Sequence, residues 1–220
     1  METGTVSFTL MELFQMGGVM MWPLLFFSIA TVFISVERAV YFIYHKLNID
    51  DLAATVSPLL KNRDTAGAEE YLSALTKRRM GARILLALVK YLQSETGKKF
   101  SESRAEKAIE LEASSCLNSL ENNLNFLTVL GSIAPLTGFL GTVTGMIGAF
   151  KSIAEATEVN AQIVANGIYE ALITTVYGLI IAIIAMIFHS LFTYFIDKFA
   201  ANIEHESSQL IVEITEQNET

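Results

Sequence analysis

The sequence is short of charge exactly where a soluble protein would need it. Only 17% of the 220 residues are charged against 52% hydrophobic, too apolar a balance for an ordinary water-soluble globule. Residues 13 to 36, 122 to 150 and 171 to 196 contain no Asp, Glu, Lys or Arg at all. About 20 helical residues at 1.5 Å rise cross a hydrocarbon core of about 30 Å, so each of these runs is long enough to span. Cysteine is nearly absent as well: Cys116 stands alone, which excludes an intrachain disulfide framework. The three histidines, His45, His189 and His205, show no metal-ligand spacing with one another or with Cys116. P-loop, Rossmann, HExxH and nucleophile-elbow patterns are missing, so no enzyme, metal or cofactor site is expected. A net charge of −8 argues against a nucleic-acid partner.

What basic charge there is lies in one place. No Lys or Arg precedes Arg38, twelve fall between Lys46 and Lys107, and only Lys151 and Lys198 follow. The positive-inside bias then puts the N-terminus outside and the middle segment and C-terminal tail in the cytoplasm. The first apolar run follows an N-terminal segment without a basic residue, so it is expected to be a retained span rather than a cleaved signal. The fold class expected is an all-α integral membrane protein with three transmembrane helices, two of them extended into the cytoplasm, and a small helical cytoplasmic domain. The boundaries are an outer segment 1–16, a first span 17–44, a cytoplasmic region 45–103, a long helix 104–150, a short outer loop 151–165, and a third span with its tail 166–220. The first span is bulky nearly all round, from Trp22 to Ile34, and is expected to face lipid.

The strongest pattern runs through Ala113, Leu117, Leu120, Leu124, Leu127, Gly131, Ala134, Gly138, Gly141, Gly145 and Gly148 at alternating intervals of four and three. Such a heptad rhythm predicts one continuous helix, about 54 Å long at 1.5 Å per residue, with a single packing seam. Leucines give way to small residues inside the apolar run, as helix pairing in lipid requires close backbone approach. The third span repeats this with Gly167, Ala171, Gly178, Ala182 and Ala185, and its tail continues an apolar stripe through Ile196, Phe199, Ile203, Leu210 and Ile214. The seam can pack within the chain or between copies.

Polar side chains in hydrocarbon are costly and therefore informative. Thr142 lies beside the glycine seam, Thr174 and Thr175 lie in the third span, and Glu170 stands at its head. These are the candidate proton-path or pore-lining residues. The alternative for each threonine is a bond to its own helix backbone, and for Glu170 a merely interfacial position. At 100° per residue Glu170 and Thr174 lie about 40° apart and Thr175 about 140° from Glu170, so Glu170 and Thr175 are not expected to form one contact site. Pro135 lacks the N–H that would bond Gly131, which loosens the helix or opens room for water.

Residues 133 to 149, IAPLTGFLGTVTGMIGA, followed by residues 167 to 179, GIYEALITTVYGL, resemble the paired signature of the MotA/TolQ/ExbB proton-channel family. The three-span, N-out arrangement resembles ExbB and TolQ more than the four-span flagellar stator subunit. The resemblance implies a homo-oligomeric ring, five copies in the family's usual arrangement, around single-span helices of an ExbD- or TolR-like partner whose membrane aspartate takes the proton. It also implies a bacterial inner-membrane location and a TonB- or TolA-like envelope protein that receives the work. The GTV threonine falls on Thr142, the EALxxT glutamate and threonine on Glu170 and Thr175, and the APLxG proline on Pro135. H+ is the implied coupling ion, with Na+ left open. Phe188, His189 and Ser190 stand where many members carry Tyr-Asn, and Asn166 and Tyr169 replace commoner small or proline residues. The rival reading is a non-transducing membrane scaffold or passive channel.

Overall fold

The computed structural model describes residues 10–94, 100–156 and 161–219, and among these every regular element is a helix. In chain order they are α1 (Leu10–Met16), α2 (Met21–Tyr44), α3 (Asp50–Lys61), α4 (Thr65–Leu75), α5 (Met80–Ser94), α6 (Glu102–Glu121), α7 (Leu124–Glu155) and α8 (Ala161–Glu219). Three helical stretches, in α2, α6–α7 and α8, are long and apolar enough to cross a membrane. The chain forms two compact units, one of Met1–Val36 with Asn123–Ser190 and the other of Glu37–Asn122 with Leu191–Thr220.

In the first unit, α7 and α8 run antiparallel along the small-residue seam. A Cβ on Gly131 would meet Met186 Cγ at 3.1 Å and the Ala185 Cβ at 3.9 Å; one on Gly138 would meet the Thr174 carbonyl oxygen at 2.8 Å and Gly178 Cα at 3.4 Å. One on Gly145 would meet the Gly167 carbonyl oxygen at 3.1 Å. Gly178 faces the Ala134 carbonyl oxygen, which its added Cβ would reach at 2.5 Å. These close backbone approaches are what small residues permit where lipid gives no hydrophobic drive to pairing, and the seam is therefore used within the chain. Gly148 departs from the pattern, with nothing among the described residues inside 4 Å of the place its Cβ would occupy. Pro135 sits inside the unbroken α7.

Against this pair packs one face of α2. Met21 and Leu24 are buried with Ala134, Ile173 and Ile181, and Thr31 and Ser35 continue the buried face. Trp22, Phe26, Ile29 and Phe33 are exposed on the other side. The first span is thus one-sided rather than lipid-facing all round: bulky apolar residues suit protein and lipid contact equally, so their distribution hid the face that the buried hydroxyls of Thr31 and Ser35 mark. The helix also begins at Met21 rather than at residue 17, because Gly18 takes a left-handed φ of 65° that glycine adopts without penalty.

The second unit begins at the end of α2. Arg38 is 4% exposed, and its guanidinium donates to the carbonyl oxygens of Asn122 at 2.8 Å and Ser119 at 3.4 Å. It is paired bidentately with Glu37 at 2.6 and 2.7 Å and lies over the Tyr41 ring, 4.8 Å from the centroid. Carbonyls at a helix C-terminus have no intrahelical partner, so Arg38 supplies the donors that end α6. Beyond it Asn123 adopts a left-handed φ of 67°, a conformation asparagine tolerates better than most residues. The expected continuous helix over 104–150 is therefore two helices, α6 and α7, with the break between leucines of the heptad pattern, Leu120 and Leu124, which are both buried. A repeat of apolar residues reports which face is covered and is blind to a turn that keeps the face.

The rest of this unit is a packed helical domain. Ile49, Leu52, Val56, Leu72, Ile84, Leu85, Leu88 and Leu120 are fully enclosed. Asp64 caps α4, accepting from the Gly67 N–H at 2.9 Å. The C-terminal part of α8 buries Phe192, Ile196, Phe199, Ile203, Leu210 and Ile214, the stripe expected from the tail. Glu213, well beyond the charge-free run, accepts from Ser57 Oγ at 2.6 Å and pairs with Lys61 Nζ at 3.2 Å, tying α3 to α8. The Ser57 hydrogen bond first, and Lys61 with it, hold the Glu213 carboxyl below the usual carboxylate range.

Two outcomes follow from this packing. Gly178→Ala, which meets only backbone atoms of α7, is expected to lower stability by about 1–3 kcal/mol as an overpacking change, whereas Gly148→Ala is expected to be neutral or to gain up to about 1 kcal/mol of helix propensity; denaturation in detergent micelles compares them. Because the folded pKa of Glu213 is depressed, its contribution is complete above the unfolded-state value and is lost as pH falls through the folded one. Since the side chain is 39% exposed, solvent keeps that contribution small. Amide protection in α3 is expected to decline through this acidic window, and Glu213→Gln should remove that part of the pH dependence.

Candidate functional site

The candidate threonine hydroxyls of α7 and α8 are engaged with backbone. Thr142 Oγ1 donates to the Phe139 carbonyl oxygen at 2.7 Å, Thr144 Oγ1 lies 3.1 Å from those of Leu140 and Gly141, and Thr137 Oγ1 donates to Ile133 O at 3.0 Å. Across the seam, Thr175 Oγ1 donates to the Gly138 carbonyl oxygen at 3.2 Å. Thr174 Oγ1 is placed between Ala171 O at 2.8 Å and Gly138 O at 3.3 Å. A hydroxyl has one proton to give and two lone pairs to receive with. In this arrangement Thr142 and Thr175, both half-buried, have committed the proton and keep acceptor capacity.

The candidates occupy three different settings. Thr174 is buried at 1% exposure and its side chain occupies the space beside Gly141 where a Cβ would collide with it, so its place is in the packing seam. Thr175 reaches over the same seam from a half-buried position. Glu170 is half-buried elsewhere, against Gly18, where any Cβ would collide with its carboxylate. It lines a cavity of about 590 Å³ together with Asn166, Ser152, Thr144, Tyr169 and Met16. Gly145 and Gly148 form part of that wall, which gives Gly148 a surface role in place of the packing role expected of it. Neither Thr142, Thr174 nor Thr175 lines this cavity. The separation of Glu170 from Thr175 agrees with their helical phase.

Several participants were not singled out by the sequence. Thr31 and Ser35 in α2 are 1% and 2% exposed, and their hydroxyl oxygens have no hydrogen-bond partner among the described residues. A helix serine or threonine ordinarily bonds the carbonyl one turn back, and an unpaired buried hydroxyl costs free energy. The readable signal was their i, i+4 spacing, with Arg38 three residues further on the same face. Met16 and Ser152 join the Glu170 cavity from separate parts of the chain, and Gly18 packs against the Glu170 carboxylate, a meeting that no local pattern encodes. Among the described residues no group of three or more His, Cys, Asp or Glu side chains is placed to hold a metal ion.

Comparison with known proteins converges on these helices. Residues 76–205 match the model of the MotA/TolQ/ExbB proton channel family. The chain is 30% identical over 202 residues to the biopolymer transport protein exbB1 of Vibrio cholerae, an alignment covering 90% of this chain and 85% of that one. It is 33% identical over 195 residues to an ExbB-like biopolymer transport protein of Synechocystis, covering 81% and 68% respectively. The Tol-Pal system protein TolQ of Haemophilus influenzae is 41% identical over 80 residues, 36% of this chain and 35% of that protein. With its glycine-notched helix pair and the family match spanning more than half its length, this chain belongs to the MotA/TolQ/ExbB proton channel family.

Proposed function

We propose that the chain is an ExbB/TolQ-like ring subunit of a proton-motive-force-driven machine in the bacterial inner membrane, multi-pass, with its N-terminus outside and its C-terminus cytoplasmic. Copies of it, five in the proposed arrangement, surround the membrane helices of an ExbD/TolR-like single-span partner that carries an aspartate. A TonB/TolA-like envelope protein takes up the motion. The observation that carries the reading is the state of the threonine hydroxyls. Thr142 and Thr175 donate their hydroxyl hydrogen bonds to the carbonyl oxygens of Phe139 and Gly138, and the apolar runs containing them hold no acid. A wall of this kind accepts a hydrogen bond from a neutral carboxylic acid and offers nothing to a carboxylate until a hydroxyl rotates away from its carbonyl.

That preference for the protonated acid is a switch. Protonation of the partner aspartate makes it compatible with the threonine wall and with the apolar sectors beside it; deprotonation forces the hydroxyls to reorganise or the acid to move. One charge falling through 100 mV releases about 2.3 kcal/mol, and a difference of that size in contact energy between the two states biases their populations strongly. Glu170, in its cavity at the head of α8, stands as the proton group at the mouth of the path, and Thr174 holds the seam that keeps the wall in register.

Thr142→Val and Thr175→Val preserve side-chain shape and remove the acceptor. Each is expected to lower force-dependent envelope work at least tenfold while the assembled ring remains, with Thr→Ser at either site recovering much of the activity. Collapse of the proton gradient by a protonophore should stop the work, and a sodium ionophore should not. Wild-type activity in both valine variants, or isolation of the ring without any acid-bearing single-span chain, would establish the scaffold or passive-channel reading instead.

A further inference from the structure

The second unit carries two surface recesses of opposite charge. Between α6 and α8 lies a groove of about 460 Å³ with Ile109, Ile203 and Ile211 among its lining residues and the carboxylates of Glu106, Glu110 and Glu204 beside them. Ser207 also lines it. Its hydroxyl is on the otherwise apolar stripe of α8, 5% exposed, and has no hydrogen-bond partner among the described residues. Glu110 is paired with Lys107 at 2.8 Å, whereas Glu106 and Glu204 make no ion pair among the described residues.

The other recess, about 380 Å³, presents Lys77 and the α5 face of Arg83, Leu86, Ala87 and Lys90, with Glu112 of α6 at its side. Arg83 is paired with Glu112 at 2.6 Å, while Lys77 and Lys90 make no ion pair among the described residues. Two unpaired acids thus flank an apolar groove, and two unpaired cations flank an apolar strip. One molecule cannot bring them together: at 100° per residue Glu112 lies about 120° round α6 from Glu106 and about 160° from Glu110.

We propose that the acidic groove between α6 and α8 of one copy receives the basic α5 face of a second copy. Lys77 and Lys90 then meet Glu106 and Glu204, and Leu86 and Ala87 cover the isoleucine floor. The contact uses two different patches, so it is head-to-tail, and repeated contacts of that kind close into a ring. This rests on the homo-oligomeric reading of the preceding section and specifies which surfaces make the assembly.

The test uses full-length chains in membranes, each also carrying Cys116→Ala. Chains bearing Glu110→Cys and chains bearing Ala87→Cys are co-expressed and treated with a short bismaleimide, and the mass of the native assembly is measured in parallel. Cross-linking is expected in the mixture and in neither chain alone. Adding Glu106→Lys with Glu204→Lys to both chains should reduce the cross-linked fraction about tenfold, and further adding Lys77→Glu with Lys90→Glu should restore it. An intact oligomer with no cross-link in the mixture, with either single-cysteine chain linked to itself, or with Glu110→Cys linked to a different protein, overturns this interface and leaves the ring standing. A monomeric unsubstituted chain overturns both.

Discussion

The close approach of α7 and α8 is the constraint on which the remaining structure depends. At Gly138, Gly141, Gly145 and Gly178 the facing helix occupies the space a methyl group would need. Helices this near each other bring side-chain hydroxyls within reach of the neighbour's main chain, which is how Thr175 and Thr174 come to bond the carbonyl of Gly138. Glycine costs helix propensity at every one of these positions, and in lipid the compensation comes from dispersion contact and from hydrogen bonds made across the narrow gap. The face of α2 that carries Met21 and Leu24 then covers the pair from one side.

Within that frame, polar atoms are distributed in a way that separates holding from handling. Thr174 is enclosed and serves the seam; Thr142 and Thr175 are half open and retain acceptor lone pairs. Glu170 is set apart, against the backbone of Gly18 and beside Asn166 and Ser152. The buried hydroxyls of Thr31 and Ser35, by contrast, have no partner among the described residues, so the first span carries polar atoms unmatched by that part of the chain on its protein-facing side.

Much of this was legible in the sequence because lipid simplifies the code. Three charge-free runs gave three candidate spans, and the four-three rhythm of small residues marked the α7 and α8 faces that meet. The stripe from Ile196 to Ile214 was readable for the same reason, since apolar periodicity tracks burial. Illegible features were those fixed by a single backbone angle or by residues distant in sequence. The break at Asn122 and Asn123 depends on one left-handed residue and on a guanidinium 84 positions away. The one-sidedness of α2 was concealed because the residues that face lipid and those that face protein are equally apolar. The Glu170 cavity draws on the segment before α2 as well as on α7 and α8, and pattern within any one helix cannot announce it.

The notch that Gly141 offers to Thr174 has one more implication. A row of glycines presents a smooth track, and the threonine side chain seated beside Gly141 is the tooth that fixes how far along the track the two helices stand. Gly145 lies four residues further on, about 6 Å at the helical rise, and Gly138 three residues back, and at both the facing helix is already packed close, with the Gly167 carbonyl oxygen and Ala171 at the one and the backbone of Thr174, Thr175 and Gly178 at the other. The seam is therefore keyed lengthwise: for the two helices to slip past each other, the Thr174 side chain would have to leave its place beside Gly141 and enter a step that backbone already fills.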